Sequence, residues 1–460
     1  MSLTILDVAE RQLCCGCGLC AAVEPAQFRM DDVPGHGLRP ITDGPVRDTP
    51  GHRLAVETCP GLNLRHESGR AGAEDIDELY EVWGPCEAIY EGYATDDAVR
   101  RRGSSGGVAT ALGVYGIEAG DAGGVLHIAA ADDKPLVNKS VISRTPEELL
   151  ERTGSRYAPA SPLEGLGRLA DESQPVVFIG KPCDVAGVTQ LCRARPDVDE
   201  KVALTIGIFC AGTPSSTGTR KLLAKMGVKD PDAVTSMRYR GNGWPGMIVV
   251  TERLPDGTEA RYEITYAEGW ALLSKYRQWR CLICPDHVGE FADVAVGDPW
   301  YREIGPDEPG QSLILARTPR GRAFVERAIA AGAIVAEEVE PRLMRAAQEH
   351  LYRTRVAMWG RLLAMRLFGL PTPRFVNMRV WSNWLWLAGA KEKLISVAGT
   401  LRRLKRKGLL GPVRVVAESV ATPFNRSRRT TADAATDQAT EADGAIETSA
   451  PGANGVVSRH

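Results

Sequence analysis

The stretch P-V-V-F-I-G-K-P-C-D, residues 175–184, joins a short apolar run to a loop that contains a cysteine. Comparable apolar runs occupy residues 124–131, 202–209 and 312–316, and helical stretches alternate with them. Such alternation is typical of a sheet covered by helices. Residues 253–264, with Asp-Gly near the middle, predict a hairpin among these units. We therefore predict an α/β fold with a mixed sheet flanked by helices.

The composition is that of a folded protein with more than one domain. The 460 residues are 43% hydrophobic and 25% charged, which excludes a wholly disordered chain. The net charge of -2 gives no electrostatic case for a nucleic-acid partner. The first residues include acidic side chains, and the sequence has no run of about 18 apolar residues. We therefore expect neither secretion nor a membrane span and predict a cytoplasmic protein.

Four regions of the chain differ in composition. Residues 1–70 contain five of the eleven cysteines and lack a helical pattern long enough to form a core alone, so we expect something other than burial to stabilise them. Residues 71–342 carry the α/β pattern. Residues 343–426 predict a basic helical extension. Residues 427–460 are mostly small and polar, which is typical of a disordered tail.

Apolar residues recur at helical spacing near the end of the helical extension, beside a basic cluster at residues 402–407. This pattern suits a helix that docks on its own domain, which is the simpler interpretation, or one that makes a peripheral contact with a membrane. The apolar positions are Leu394, Val397, Ala398, Leu401 and Leu404.

Cys14, Cys17 and Cys20 form the pattern C-x-x-C-x-x-C with glycines between them. A bacterial ferredoxin run would continue with a cysteine where this chain has Glu24, so the last thiolate of a single local cluster must come from further along. Cys59 is the natural candidate. Structural zinc is the alternative, but four-cysteine zinc sites usually use two pairs rather than an evenly spaced triplet. The spacing therefore favours an iron–sulfur cluster.

A second set of cysteines is spread along the chain. Cys183 and Cys210 closely follow apolar runs, and Cys281 and Cys284 form a C-x-x-C pair. Strand ends in an α/β sheet meet at one edge, so these loops could converge on a four-thiolate site. Spacing alone leaves that site and buried structural thiols equally open. The remaining cysteines, which we expect to be bystanders or core residues, are Cys15, Cys86 and Cys192.

Residues 100–107, R-R-R-G-S-S-G-G, run directly into a helical pattern. Small residues at a helix N-terminus allow the backbone amides to approach a phosphate, and hydroxyls and arginines add further donors. A plain glycine-rich helix cap is the alternative. The candidate phosphate-binding residues are Arg102, Ser104, Ser105, Gly106 and Gly107.

Two other glycine patterns predict no function. Ser105 stands in a G-x-S-x-G pattern, but a hydrolase nucleophile follows a buried strand, and residues 94–102 are polar and charged. Residues 241–246 match G-x-G-x-x-G, but Pro245 interrupts the pattern and a strand-like run follows. We discard both the hydrolase and the Rossmann interpretation.

The ordered motifs over about residues 12–300 resemble the coenzyme F420 hydrogenase/dehydrogenase beta-subunit family. Similar members bind FAD and [4Fe-4S] clusters, and they include the F420-reducing hydrogenase beta subunit, 7-hydroxymethyl chlorophyll a reductase and ferredoxin-type divinyl chlorophyllide vinyl reductase. The stretches that carry the resemblance are C-C-G-C-G-L-C, R-G-S-S-G-G-V, G-K-P-C-D-V-A-G, I-F-C-A-G-T-P-S, R-G-N-G-W-P-G, C-L-I-C-P-D-H and A-D-V-A-V-G-D-P-W.

The resemblance implies a role for each candidate residue. Ser104, Ser105, Gly106 and Gly107 would contact the FAD phosphates. The cluster nearer the flavin would be held by Cys183, Cys210, Cys281 and Cys284, and an electron-carrying N-terminal module by Cys14, Cys17, Cys20 and Cys59. Residues expected to line the flavin are Arg156, Tyr157 and Lys181, and the apolar pocket could include Trp244 and Trp300.

The implied function is that of an oxidoreductase. Clusters carry single electrons, a hydride carries two, and a flavin can exchange either number. We expect a ferredoxin-like donor or a redox partner subunit to supply electrons, and F420 or a small organic substrate to exchange hydride with FAD. Two rivals stay open: a non-catalytic electron-transfer subunit of a larger complex, and a zinc-stabilised binding module.

Overall fold

The computed structural model of the protein describes residues 3–69, 71–305 and 307–410. The predicted tail at residues 427–460 and the last part of the predicted extension lie outside these residues. The strands are β1 (Arg29–Val33), β2 (Gly37–Ile41), β3 (Asn63–Arg65), β4 (Ala88–Ala94), β5 (Gly124–Ala130), β6 (Asn138–Ser143), β7 (Val176–Gly180), β8 (Val202–Ile208), β9 (Val234–Arg238), β10 (Met247–Arg253), β11 (Glu259–Thr265), β12 (Val294–Gly297), β13 (Ser312–Ala316), β14 (Ile334–Glu338) and β15 (Arg374–Val376).

Several helices begin at a threonine followed by proline. Thr49, Thr145 and Thr318 each accept a backbone amide of the first turn, and the proline occupies a position that needs no intrahelical donor. The helices are α1 (Ile5–Glu10), α2 (Leu19–Val23), α3 (Pro50–Glu57), α4 (Asp77–Trp83), α5 (Asp97–Arg102), α6 (Val108–Glu118), α7 (Pro146–Glu151), α8 (Pro182–Ala194), α9 (Pro196–Asp199), α10 (Ser216–Met226), α11 (Tyr266–Leu273), α12 (Trp279–Leu282), α13 (Pro319–Ala330), α14 (Arg342–Ala347), α15 (Glu349–Val356), α16 (Met358–Leu367), α17 (Val380–Trp386) and α18 (Ala390–Arg406).

Within the described residues, eight strands form the central sheet in the order β14-β4-β13-β12-β8-β7-β5-β6. The neighbours β5, β7, β8 and β12 run parallel to one another. Strands β6, β13 and β14 run antiparallel to their neighbours. The prediction of a mixed sheet is therefore confirmed. The predicted hairpin is also present, as β10 and β11 of a separate three-stranded sheet with β9.

Both faces of the central sheet are buried, which explains why its strands are nearly continuous apolar runs. Neighbouring residues of one strand point to opposite faces. Val125 and Val177 pack in a core with α6 and α13, whereas Leu126 and Phe178 pack in a second core with α8. The prediction that helices flank the sheet is confirmed on both faces.

Part of the N-terminal segment packs in the second core, and another part forms a small cluster of its own with Ile5, Ala21, Phe28 and Ala55. Leu13, Leu19 and Leu64 belong to the same buried cluster as Leu163 and Phe178. The expectation that something other than burial stabilises this segment therefore has to be revised. Helices α1–α3 together form the small cluster, and α1 and α2 also place Val8 and Leu19 in the second core.

The C-terminal helices also pack on the second core, through Leu351 and Met358. Helix α18 docks on its own chain, as predicted, but only part of the predicted face takes part: Leu404 is buried and Leu401 packs against the core, whereas Leu394 is 69% exposed. Helix α18 is oriented in this way because it approaches α16 closely, at the point where Gly360 of α16 faces the small side chain of Ser396. None of the described helices combines the length and apolar character needed to cross a bilayer.

Replacing Phe178 with alanine should lower the free energy of unfolding by about 3–5 kcal/mol, because its ring is fully buried in the core beside α8. The matched control is Phe368→Ala, at a residue that is 52% exposed, which should cost less than about 0.5 kcal/mol. Anaerobic urea unfolding measures both values. Equal losses in the two variants would contradict the burial of Phe178.

Candidate functional site

A cavity of about 300 Å³ opens at the carboxyl edge of the central sheet. Strands β7, β8 and β12 run parallel, so their carboxyl ends lie side by side. Their last residues, Gly180, Ile208 and Gly297, all line the cavity. Open α/β sheets typically bind ligands at this edge. The volume is at the lower end of the roughly 300–1,000 Å³ usual for ligand pockets.

The glycine loop before α6 forms one wall of this cavity. Gly107 caps α6 with φ of 74°, and an added Cβ there would lie 2.6 Å from the carbonyl oxygen of Val99, so only glycine fits. The first amides of α6, at Val108, Ala109 and Thr110, border the cavity and have no acceptor within the helix. This wall is therefore a positive helix end that faces the cavity.

The predicted phosphate-binding residues do not all face the cavity. Gly103, Ser104, Ser105 and Gly107 line it. Arg102 is exposed and does not border it, and the amide of Gly106 donates to Ser312 Oγ at 2.9 Å. The Ser105 hydroxyl donates to the carbonyl of Gln311, whereas Ser104 Oγ accepts from the amide of Ser155 at 2.6 Å. Of these two serine hydroxyls, that of Ser104 still has its hydrogen to donate to a ligand, whereas that of Ser105 does not.

Arg156, Tyr157 and Lys181, expected to line a flavin, all border the cavity. The Arg156 guanidinium bonds protein acceptors, including the carbonyl of Pro135 at 2.5 Å. Lys181 Nζ lies 2.6 and 2.7 Å from the two carboxylate oxygens of Asp184. Burial alone would lower the pKa of Lys181, but the charge of Asp184 raises it, so the ammonium stays charged at the cavity wall.

Aromatic residues form the opposite wall. Tyr266 and Trp300 stack with ring centroids 5.8 Å apart, and Tyr157 and Trp270 lie 5.2 Å apart beside them. Trp300 lines the cavity as the sequence suggested. Trp244 packs behind it, with centroids 5.4 Å apart. Flat, apolar walls of this kind suit a planar ligand.

A buried ion pair that sequence reasoning missed supports the aromatic wall. Arg240 donates to both carboxylate oxygens of Asp298, at 2.9 and 2.7 Å, and Trp244 Nε1 donates to the same carboxylate at 2.7 Å. Both charged residues border the cavity. Each lies inside a motif of the family resemblance, R-G-N-G-W-P-G or G-D-P-W. The two motifs could therefore have pointed to Arg240 and Asp298 in the sequence, but neither motif shows that the two residues form a pair.

The structure brings together the first cysteine group, which consists of Cys14, Cys17, Cys20 and Cys59. Burial raises the pKa of Cys17 and Cys20, and the nearby Cys14 and Cys59 add to this rise, so the four side chains are neighbours. Burial, with the charge of Cys14 adding to it, raises the pKa of Cys59 to about 11. Thiols crowded into a dry space keep their protons until a metal replaces them.

The second cysteine group consists of Cys183, Cys210, Cys281 and Cys284, which also come together. Cys183 lies in the first turn of α8, Cys210 lies beyond the end of β8, and α12 carries Cys281. Burial raises the pKa of Cys210 and Cys284, and the nearby Cys183 and Cys281 add to the rise at both. Burial raises the pKa of Cys210 to about 12. Cys86 and Cys192 lie outside both groups, with Cys86 bonded to the carbonyl of Ala88.

The two cysteine groups and the cavity lie in a continuous row. Cys15, which follows a member of the first group, lies close enough to Cys183 of the second group for each thiol to affect the pKa of the other. Cys210 of the second group lines the cavity. Cys15 was expected to be a bystander. Its contact could not be read from spacing, because its partner is far away in sequence.

Backbone amides point at several of the sulfurs. Gly16 donates to Cys14 Sγ at 3.3 Å, Gly212 to Cys210 Sγ at 3.4 Å, and the amide of Thr213 to Cys281 Sγ at 3.3 Å. Both glycines have positive φ, 71° and 114°, which lets the chain curl round the sulfur. Such amide donors are typical of iron–sulfur sites.

The described residues contain no three His, Cys, Asp or Glu side chains that converge as the ligands of one metal ion would. The geometry required by a cubane is different. Four cysteines of a [4Fe-4S] cluster bind four separate iron atoms, so their sulfurs surround a volume instead of meeting at a point. The two cysteine groups, with their amide donors, therefore fit clusters in residue type and number.

The C-terminal helices hold the loop that carries the C-x-x-C pair. Arg355 of α15 donates to the carbonyl of Pro285 at 2.8 Å, and Arg361 of α16 donates to that of Leu282 at 2.6 Å. Arg355 also pairs with the buried carboxylate of Glu290 at 2.7 Å, which His66 contacts at 3.0 Å. The extension therefore supports the site, although the sequence suggested a separate unit.

Two family models match this chain. The model for the N-terminal part of the coenzyme F420 hydrogenase/dehydrogenase beta subunit matches residues 89–166, and the model for its C-terminal part matches residues 173–342. The chain belongs to this beta-subunit family. The matched residues include the glycine loop, the cavity edge and the second cysteine group. The first cysteine group and the helices after residue 342 lie outside them.

Curated relatives agree with this assignment. The coenzyme F420 hydrogenase subunit beta of Methanococcus voltae is 25% identical over 56% of this chain and 86% of its own length. That of Methanosarcina barkeri is 28% identical over 54% of this chain and 82% of its own length. Among solved structures, a chain of the F420-reducing [NiFe] hydrogenase complex from M. barkeri aligns with 63% of this chain and 96% of its own length. The identity is 24% and the TM-score is 0.48, so the family assignment does not rest on this alignment.

Replacing Arg355 with methionine should lower the free energy of unfolding by about 3–5 kcal/mol, because it leaves the buried charge of Glu290 without its main partner. The control is Arg353→Met on the same helix, which removes an exposed pair with Glu349 and should cost less than about 1 kcal/mol. Chemical unfolding measures the difference. Similar losses in both variants would contradict the buried pairing.

Proposed function

We propose that this protein is an iron–sulfur flavoprotein oxidoreductase of the F420 hydrogenase/dehydrogenase beta-subunit type. It passes electrons between two [4Fe-4S] clusters and FAD, and between FAD and either F420 or an organic substrate. The observation that carries the proposal is the row formed by the two cysteine groups and the cavity. Cys15 joins the first group to Cys183 of the second, and Cys210 borders the cavity.

Residues around the cavity fit the phosphate end of FAD. The amides of Val108, Ala109 and Thr110 and the free hydrogen of the Ser104 hydroxyl would hold the pyrophosphate. Lys181 keeps a positive charge on the wall where an anionic ring system would lie. When bound, FAD supplies the conversion between single electrons and the two electrons of a hydride.

The cysteine groups fit two [4Fe-4S] clusters, which supply single-electron transfer. Cys14, Cys17, Cys20 and Cys59 would hold one, and Cys183, Cys210, Cys281 and Cys284 the other. Amides directed at Cys14, Cys210 and Cys281 support this assignment, because such donors stabilise anionic sulfur.

The aromatic wall favours a planar partner in hydride exchange. Tyr266, Trp270 and Trp300 exclude water from that side of the cavity and offer ring faces for stacking. The curated relatives named above are F420 hydrogenase subunits, and another is an F420-dependent formate dehydrogenase subunit, so F420 is one candidate. A small organic acceptor is the other.

A second candidate function is that of a non-catalytic electron-transfer subunit, because the relatives are named as subunits. A redox partner subunit, or a ferredoxin-like donor, would need a docking surface. The corner between α17 and α18 offers exposed apolar side chains, with Trp386 78% and Leu394 69% exposed, beside the basic residues of α18. The membrane contact suggested by the sequence would use the same corner. Steady-state turnover by the isolated chain with reduced F420 or an artificial donor would reject the relay role.

Iron analysis tests the cluster proposal. Anaerobically purified protein should contain iron, acid-labile sulfide and flavin. Cys14→Ala and Cys281→Ala should each lose about half of the iron, because each removes one ligand of a different cluster. Cys86→Ala, at a buried thiol outside both groups, should keep all of it. Zinc without acid-labile sulfide would instead support the zinc-stabilised module. An unchanged iron content in Cys14→Ala or Cys281→Ala would reject the cysteine group of that residue as a cluster site.

A pair of glycine variants tests the flavin site. Gly107 and Gly120 lie at opposite ends of α6 with φ of 74° and 75°, so alanine at either position should cost about 1–2 kcal/mol in backbone strain. An added Cβ at Gly107 also meets the carbonyl of Val99 at 2.6 Å, whereas Gly120 faces open space. We expect Gly107→Ala to lose bound flavin and Gly120→Ala to keep it, as measured by the flavin absorbance per chain. Equal retention would contradict the proposed cradle.

A further inference from the structure

Arg280 is a buried cation that none of the roles above uses. It lies in α12, next to Cys281, and its side chain is buried at 2% exposure. Its guanidinium donates to the carbonyls of Pro60 at 3.0 Å, Gly61 at 3.3 Å and Ile283 at 3.3 Å. These hydrogen-bond acceptors are all neutral. A buried guanidinium with neutral acceptors is costly unless an anion lies close by.

Under the proposed function, clusters held by the two cysteine groups would supply that anion from two directions. Pro60 and Gly61 directly follow Cys59 of the first cysteine group, and Ile283 directly precedes Cys284 of the second. The charge of Arg280 acts on Cys59 and on Cys284, and also on Cys183 and on Cys15 between the groups. Arg280 therefore lies at the junction of the two groups and is hydrogen-bonded to a loop of each.

We propose that Arg280 is the shared counter-ion of both cysteine groups and raises the reduction potential of both clusters, an inference that rests on the proposed function. A cluster held by four thiolates is anionic, and its one-electron reduction adds one negative charge. A fixed cation in a low-dielectric interior favours the more negative state of each cluster. Because one residue serves both sites, their potentials move together when it is changed.

The competing explanation is purely structural. The guanidinium could serve only to hold the loops after Cys59 and before Cys284 through its three hydrogen bonds. The two roles separate when charge and donors are removed independently. Arg280→Lys keeps a cation but loses the planar fork, and Arg280→Gln keeps an amide donor but loses the charge.

The experiment is an anaerobic redox titration of the full chain, with each cluster followed by EPR and with iron and sulfide measured on every sample. In Arg280→Gln both midpoint potentials should fall by at least 59 mV, which is a tenfold shift in a one-electron equilibrium. In Arg280→Lys both midpoint potentials should fall by less than half of the fall measured in Arg280→Gln. Arg317→Met is the matched control. Arg317 is equally buried and also donates to three backbone carbonyls, those of Trp83, Pro85 and Val288. Its charge acts on Cys86 and Asp286, which belong to neither cysteine group. It should leave both potentials unchanged.

Each outcome decides the matter. Unchanged potentials in Arg280→Gln, a shift of only one cluster, or equal shifts in the Gln and Lys variants would overturn the proposal. If the Gln variant assembles no clusters, the Lys variant decides: both of its potentials should lie below those of the wild type, and unchanged potentials would overturn the proposal. If neither variant retains iron, the role is structural. A wild-type protein without iron and sulfide would refute the proposed function instead, before Arg280 is tested.

Discussion

The parallel run of β7, β8 and β12 is the constraint on which the rest of the site depends. Because their carboxyl ends meet at one edge, the loops after them bring Lys181, Cys210 and Asp298 to a single cavity from positions far apart in sequence. The antiparallel strand β13 and the glycine loop close the far side through the bond between Gly106 and Ser312. A shift in strand order would separate the second cysteine group from the helix end that faces the cavity.

Buried charge is the cost of this arrangement, and the fold compensates it locally. The pairs Lys181–Asp184, Arg240–Asp298 and Arg355–Glu290 each place a cation against a carboxylate within 2.9 Å. Lys181 and Asp184 flank Cys183 in the sequence, Arg355 donates to the carbonyl of Pro285 next to Cys284, and Arg240 and Asp298 border the cavity. Paired charges of this kind fix geometry more than they add stability, because desolvation consumes much of the attraction. Their benefit here is a rigid frame round the cysteines.

Local patterns predict part of this molecule and long-range packing decides the rest. Alternating apolar runs predicted the mixed sheet, because each strand is buried on both faces. The evenly spaced triplet and the strand-end cysteines predicted two sets of neighbours that the structure brings together, while their role as ligands stays a prediction. Cys15, Arg280 and Arg355 were missed because their partners lie tens to hundreds of residues away. The exposure of Leu394 was missed because only the later part of the predicted apolar face is buried, while the approach to α16 uses the small side chain of Ser396.

The packing of the N-terminal segment on the second core has a consequence for the proposed electron transfer. Carriers in some redox enzymes ride on tethered arms that swing between docking positions, so that transfer waits for motion. Here Leu13, Leu19 and Leu64 are anchored among residues of the main sheet, and Arg280 bonds loops on both sides of the junction. A segment held in this way cannot swing. The spacing between its cysteines and the cavity is set by folding, so electron transfer under the proposed function would depend on distance and driving force and would not wait for such motion.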